Sequence, residues 1–191
     1  MLLRTIDIIV SGVGLILLSP LFVLLYIAGL LDTGCPLLRQ IRIGRNLRPF
    51  VLLKIRTMKI NTPQVPSHLV DSNSITFFGA WLRRTKLDEL PQLWNVFVGD
   101  MSLVGPRPCL SDQHDLIRAR SFLGVYSVRP GITGLAQITG VDMSTPEMLA
   151  RTDAKMLRDL SCITYLRYIA MTVIGKGCGD KAMRKTKKSI L

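Results

Sequence analysis

Residues Ile8 to Leu31 carry no formal charge and are dominated by Leu, Ile and Val, and this run constrains the chain more than any other feature. As one helix it would reach about 36 Å, enough to cross a hydrocarbon core of about 30 Å. It exceeds the apolar region of a secretory leader, about 7–15 residues, and lacks an A-x-A-like cleavage site, so it is not expected to be removed. Ser19-Pro20 stands almost at its centre. Proline removes a backbone donor and clashes with the preceding turn, so the helix is predicted to kink or break there. A kinked span is one reading, tolerated when Ser or Thr re-satisfies the freed carbonyls. A helix that dips into the bilayer and returns is the other. The flanks favour the second: Arg4 precedes the run, Arg39, Arg42, Arg45 and Arg48 follow it, and Asp7 and Asp32 bracket it. Positive charge collects on the cytoplasmic side of bacterial membranes, so both ends are expected at one face.

The whole chain has 191 residues, enough for one domain with a core of its own, and Lys+Arg 25 against Asp+Glu 13 gives a net charge of +12. Such a balance calls for an anionic partner: nucleic acid, an acidic lipid surface or a phosphorylated substrate. No nucleic-acid-binding motif is present and the apolar run argues against one, so no nucleic-acid partner is expected. Cys35, Cys109, Cys162 and Cys178 form no C-x-x-C pair and read as reduced thiols. His114 has no second His or Cys at ligand spacing, and His68 reads as a surface residue, so a zinc site is not expected.

From Thr33 to Val70 there is no acid, while Arg39, Arg42, Arg45, Arg48, Lys54, Arg56 and Lys59 are basic. Ile41 and Ile43 alternate with polar neighbours, Gly44-Arg45-Asn46 suits a turn, and Phe50 to Ile55 resumes as a β-rich run, which predicts a strand–turn–strand unit, with a short helix as the alternative. Most of these arginines suit a solvated or lipid-facing charge patch. Arg56, ending an apolar strand, is less easily explained that way. The stretch from Asn61 to Asn73, with Pro63 and Pro66, is polar and aperiodic and reads as a loop.

Phe77, Phe78, Trp81 and Leu82 recur at helical spacing ahead of Arg83 and Arg84. This predicts an amphipathic helix, either facing the core or lying at a lipid interface with its basic end near phosphates. Asp88-Glu89 then opens a short helical stretch with Pro91 in its first turn. Asp88 could be an ordinary N-cap and Glu89 a first-turn carboxylate. The helix dipole would also keep Asp88 ionised, as a nucleophile requires. Adjacent carboxylates can then divide labour, one attacking phosphorus while the other holds Mg2+ beside substrate phosphates.

Gly99-Asp100 suggests a turn and Met101 to Val104 a short buried strand. Gly105-Pro106-Arg107-Pro108 then fixes Arg107 between two prolines, which suits bidentate phosphate contact at low entropic cost. Pro130-Gly131 fits a type II turn with Arg129 beside it.

Taken in order, these pieces resemble the bacterial sugar transferase family, the small monotopic polyprenyl-phosphate phosphoglycosyl transferases. The likeness rests on Arg4 and Asp7, Ser19-Pro20, Arg39-Gln40, Gly44-Arg45-Asn46, Lys54-Ile55-Arg56-Thr57-Met58 and Arg83-Arg84-Thr85. It continues through Leu87-Asp88-Glu89-Leu90-Pro91-Gln92-Leu93, Gly99 to Ser102, Gly105 to Pro108, Arg129 to Gly134 and Gln137. The resemblance implies an α/β (α+β) fold: a re-entrant membrane helix over 1–32 broken at Ser19-Pro20, interfacial amphipathic helices, and a catalytic part over 33–175 with short strands. A basic tail over 176–191 would touch lipid or stay unstructured.

It further implies transfer of a sugar-1-phosphate from a UDP-sugar to a polyprenyl (undecaprenyl) phosphate at the cytoplasmic face of the bacterial inner membrane, releasing UMP. By carry-over Asp88 attacks the β-phosphorus, Glu89 holds Mg2+, and Arg107 with Pro108 binds phosphate. Arg56 and Arg129 are assigned more loosely to the same pocket. An N-acetylated deoxyamino sugar is the expected donor, anionic phospholipids the expected surroundings, and a homodimer is compatible with apolar surface in lipid. After Gln137 the chain departs from the family pattern, at Ile138 to Asp142 and again at Lys155, Met156 and Leu157, which bears on sugar choice more than on mechanism. The alternative is a basic scaffold binding anionic lipid without catalysis.

Overall fold

The computed structural model describes residues 2–60, 62 and 74–175. His68 with nearly all of the expected polar loop, and the expected basic tail with Cys178, lie outside the described residues.

The apolar run forms two helices, α1 (Leu2–Leu17) and α2 (Ser19–Thr33), bent by 62°. Pro20 cannot donate to the Ile16 carbonyl, and the Ser19 hydroxyl donates to it instead at 2.8 Å. Leu18 N–H still reaches Gly14 O, and Phe22 N–H reaches Leu18 O. The predicted break is therefore a sharp kink with its carbonyl satisfied, and no single described helix is long and apolar enough to cross a membrane.

The predicted hairpin is present as β1 (Leu37–Ile43) and β2 (Pro49–Ile55), antiparallel, with Leu37 opposite Ile55 and Ile43 opposite Pro49. Strand alternation turns Gln40 and Leu52 inward and leaves Arg39, Ile41 and Val51 exposed. Next comes α3 (Phe77–Thr85), capped by Thr76, whose hydroxyl accepts from Gly79 N–H at 2.9 Å. A Cβ on Gly79 would stand 2.1 Å from the Thr57 carbonyl, so only glycine lets α3 back onto the chain leaving β2. The helix is amphipathic, with one face in the core. Leu82 is buried with Phe78 beside it against Leu25 and Ile55, while Phe77 and Trp81 face outward.

After α3 the chain makes a 3-10 turn, Leu87–Glu89, and enters α4 (Gln92–Val98), which Gly99 ends in the left-handed region at φ 102°. β3 (Ser102–Val104) follows, then α5 (His114–Phe122), β4 (Gly131–Thr133), α6 (Leu135–Thr139), α7 (Pro146–Arg158) and α8 (Cys162–Val173). β3 and β4 run parallel, Ser102 opposite Gly131 and Val104 opposite Thr133. Among the described residues the result is mixed α/β with two two-stranded sheets. Leu52, Val96, Met101, Leu103, Val104, Met156 and Tyr165 form the main core, each large side chain contributing about 1.5–3 kcal/mol on burial.

The type II turn expected at Pro130-Gly131 is not formed, because Gly131 is not left-handed and begins β4. A Cβ there would lie 2.0 Å from Gly105 N, so the glycine serves close strand approach. The sequence reading also passed over α8. It turns Tyr165 and Tyr168 inward and leaves Ile163, Leu166, Val173 and Ile174 exposed.

Candidate active site

Leu87 and Leu90 pack against the cluster of Leu25, Ile55 and Leu82, with Leu21 beside them. The turn they flank therefore rests on α2, with Asp88 and Glu89 held between two apolar footings. Asp88 is only 7% exposed. It is not the N-cap that local sequence suggested. Pro91 stands at the cap position of α4, and neither the turn nor the helix has a side-chain cap. The dipole argument for its charge fails with it. Burial first, then the negative charge of Glu89, push Asp88 up to about 6, while Lys54, Arg83 and Arg107 pull it down. Above that pH the carboxylate prevails.

Glu89 behaves oppositely. Burial raises it, but the charge and hydrogen bond of Arg107, with the charges of Lys54 and Lys86, together hold it below the usual carboxylate range. Arg107 Nη2 donates to Glu89 Oε1 at 2.7 Å. The loop carrying Arg107 is fixed by more than its prolines. Arg120 Nη1 donates to the Arg107 carbonyl at 2.9 Å, and Arg42 Nη1 to the Pro108 carbonyl at 3.2 Å. Arg120 is itself held by buried Asp153, Nε and Nη2 both donating to Oδ2 at 2.9 and 2.6 Å. Arg42 donates twice to Gln40 Oε1 and is lowered to about 10, by burial and then by Arg107.

Lys54, partly buried on β2, is lowered to about 8 by burial, against the attraction of Asp88. Arg83, buried on α3, donates from Nε to Thr57 Oγ1 at 2.9 Å. In sequence, Lys54 and Arg42 belong to a run of basic residues and Arg83 to a basic helix end. The hairpin's own alternation held a signal for two of them: Arg42 and Lys54 share the inward parity of Gln40 and Leu52.

Of the expected site residues, the structure brings together Asp88, Glu89, Arg107 and the Pro108 loop. Arg56 and Arg129 are occupied elsewhere. Arg56 Nε donates to the Cys35 carbonyl at 2.9 Å, and Arg129 Nε to the Gly99 carbonyl at 2.7 Å. Gly99 lies past the C-terminus of α4, roughly 10 Å along the helix from the carboxylates.

Among the described residues no three His, Cys, Asp or Glu groups cluster as a protein-only metal cage would need. Two adjacent carboxylates are still a fitting donor set for Mg2+, which takes one or two from protein and the rest from water and substrate phosphates. Chemically, the arrangement is a buried carboxylate of raised pKa, a second held ionised, and fixed cations around both. That suits attack on a phosphoryl group whose charge must be offset.

A family model described as bacterial sugar transferase matches residues 1–176. The UDP-glucose:undecaprenyl-phosphate glucose-1-phosphate transferase of Caulobacter vibrioides is 41% identical over 143 residues, covering 72% of this chain and 54% of that protein. The undecaprenyl-phosphate galactose phosphotransferase of Salmonella typhimurium is 38% identical over 155 residues, covering 72% of this chain and 32% of that protein. The exopolysaccharide production protein ExoY of Sinorhizobium fredii is 38% identical over 157 residues, covering 72% and 68%. The chain thus spans about half the length of the first of these relatives and about a third of the second.

Proposed function

The chain belongs to the bacterial sugar transferase family, and we propose that it transfers a sugar-1-phosphate from a UDP-sugar to a polyprenyl phosphate, releasing UMP. The observation that carries this reading is Asp88, buried beside Glu89 and among Lys54, Arg83 and Arg107. A lipid-binding scaffold would have no use for a carboxylate pair buried there.

In the proposed first step an Asp88 carboxylate oxygen attacks the β-phosphorus of the UDP-sugar. An Asp88 O–P bond forms, the bridging P–O bond breaks, and UMP departs with that electron pair. In the second step an oxygen of the polyprenyl phosphate attacks the same phosphorus and Asp88 leaves as the free carboxylate. One small site thus serves two anionic substrates in turn. Arg107, aimed by the Arg42 and Arg120 contacts to its loop, would bind substrate phosphate beside Glu89. Glu89 would hold Mg2+, which when bound supplies charge to neutralise the pyrophosphate.

Both ends of the α1–α2 pair are tied to the same polar body, which supports re-entry from one face. Asp7 accepts from Leu103 N–H at 2.9 Å, and Asp32 accepts from the Thr76 hydroxyl at 2.6 Å. The exposed faces of α1, α2 and α8, with Phe77, Trp81, Trp94 and Phe97, would sit in or against the bilayer. The relatives' names make UDP-glucose and UDP-galactose the first donors to test, with UDP-N-acetylated deoxyamino sugars as the other class.

Purified protein with a UDP-sugar and Mg2+ is expected to release UMP and to carry a phosphosugar on Asp88 before any acceptor is added. UMP release strictly dependent on acceptor, with no trappable adduct, would overturn the covalent route. For topology, a variant keeping only Cys35 and one with a single Cys at position 2 should react with an impermeant maleimide from the same side. Labelling from opposite sides would exclude re-entry.

A further inference from the structure

We propose that Arg4 and Asp7, neighbours across one turn of α1, are positioning residues that hold the two halves of the active site in register. They would thereby couple the seating of the membrane helix to catalysis; the catalytic half of this statement rests on the proposed function above.

Arg4 reaches α4. Its Nη1 donates to the Val96 carbonyl at 2.6 Å and its Nη2 to the Phe97 carbonyl at 2.9 Å, both in the last turn of that helix. Asp7 reaches β3. Its Oδ1 accepts from Leu103 N–H at 2.9 Å, from Ser102 Oγ at 3.2 Å and from the Tyr165 hydroxyl of α8. The Asp7 side chain is 4% exposed, with Arg4 4.0 Å away. A carboxylate so buried is retained only with its lone pairs filled, so these donors fix where α1 sits.

Each contact falls at the far end of an element that delivers a site residue. Followed back toward its N-terminus, α4 leads to Glu89. Followed forward, β3 leads into Gly105-Pro106-Arg107. The Glu89–Arg107 hydrogen bond of 2.7 Å joins the two. A closed ring results: α1, α4, Glu89, Arg107, β3 and back to α1. Apolar packing also joins α1 to α4, with Gly12 against the Phe97 ring and Gly14 against Leu93. Such packing is non-directional and would allow α1 to slide. The directional Arg4 and Asp7 contacts set the register. Displacing a site group by about 1 Å can cost about 100-fold in rate even from afar.

The test uses the full chain in lipid nanodiscs, comparing wild type with Arg4→Met, Arg4→Lys, Asp7→Asn and Tyr165→Phe. Arg4→Met and Asp7→Asn should lower kcat by roughly 30–100-fold while KM for the UDP-sugar changes little. Arg4→Lys, which keeps charge and a donor, should recover part of kcat. A purely structural role would lower the active fraction and leave kcat per active enzyme unchanged, with no recovery in Arg4→Lys. Hydrogen exchange reads the ring without activity: peptides over 87–98 and 101–107 should both exchange faster in Arg4→Met and in Asp7→Asn. If Asp7→Asn does not fold, Tyr165→Phe removes one donor and should lower kcat and speed exchange in the same peptides by less. Wild-type kcat in folded, membrane-bound variants would overturn the proposal, as would exchange changes confined to α1. If wild type itself releases no UMP from any donor, the functional reading fails, and the exchange arm still decides whether the ring exists.

Discussion

Glu89 Oε1 accepts a hydrogen bond from Arg107 Nη2 at 2.7 Å, joining a turn that rests on α2 to a loop held by its carbonyls. Neither partner is placed by its neighbours in sequence alone. Leu87 and Leu90 seat the turn, and the buried Arg120 and half-buried Arg42 seat the loop. The guanidinium can therefore face an incoming phosphate while its carboxylate partner stays ionised beside it.

Removing Arg107 should act through charge and through pH together. Arg107→Ala should lower kcat/KM by about 100–1,000-fold, the range for losing one preorganised donor. Arg107→Lys, which keeps charge but loses the fork, should fall in between. Arg107 lowers Glu89 by charge and hydrogen bond, beside Lys54 and Lys86, and it also pulls down Asp88. With Arg107 gone both carboxylates rise, so the acid limb of the pH–rate profile, set by Asp88, should move to higher pH. A steady-state profile showing Arg107→Ala slow but with an unmoved limb would separate Arg107 from Asp88.

Asp88→Asn should abolish UMP release yet stabilise the fold at neutral pH. The folded value of about 6 stands above the ordinary 3.8, so protonated Asp88 favours the folded state. That contribution is complete below the ordinary value and is lost as pH rises through about 6. Ionised Asp88 thus costs up to about 3 kcal/mol at neutral pH. The variant should denature later than wild type at neutral pH and match it near pH 4. Equal midpoints at both pH values would show that Asp88 is not strained by its burial.

The parts of this molecule governed by local rules were legible in the sequence. Pro20 dictated the kink and Ser19 its repair, alternation gave the hairpin, and helical spacing gave α3. What was not legible depends on distant partners. Asp88 reads locally as a cap, and only packing of α2 and β2 around it reveals a buried carboxylate. β3 and β4 are three residues each, too short to announce a parallel pairing across α5. Asp7 reads as the polar end of a membrane helix, while its partner Tyr165 lies 158 residues away. Pro106 and Pro108 mark the Arg107 loop in the sequence, but Arg42 and Arg120, which donate to the loop's carbonyls, belong to a strand and a helix that only the tertiary fold brings there.

The buried Arg120–Asp153 pair, 2.6 Å apart and 1% and 0% exposed, should show asymmetric energetics. Asp153→Leu alone strands a buried guanidinium and should cost about 3–5 kcal/mol, lowering the denaturation midpoint by roughly 10 °C for a chain of this size. The double variant Arg120→Met/Asp153→Leu should recover much of that stability, since apolar replacements of a buried pair are often near neutral. Activity should not return, because the Arg107 carbonyl would still lack its donor. Recovered activity in the double variant would show that Arg120 supports the core and does not aim the loop.

Lys54 and Asp88 together should give the reaction a bell-shaped pH profile. In the proposed mechanism Asp88 attacks as the carboxylate, which is met above about 6. Lys54 offsets the anionic substrates while protonated, which is met below about 8 because burial lowers it. The two limbs of kcat/KM are expected near those values. Lys54→Arg keeps the positive charge to far higher pH, so its alkaline limb should disappear even if its maximum rate falls. Lys54→Met removes a charge that pulls Asp88 down, so its acid limb should move up. An alkaline limb that persists unchanged in Lys54→Arg would assign that limb to another group and leave Lys54 only a packing role.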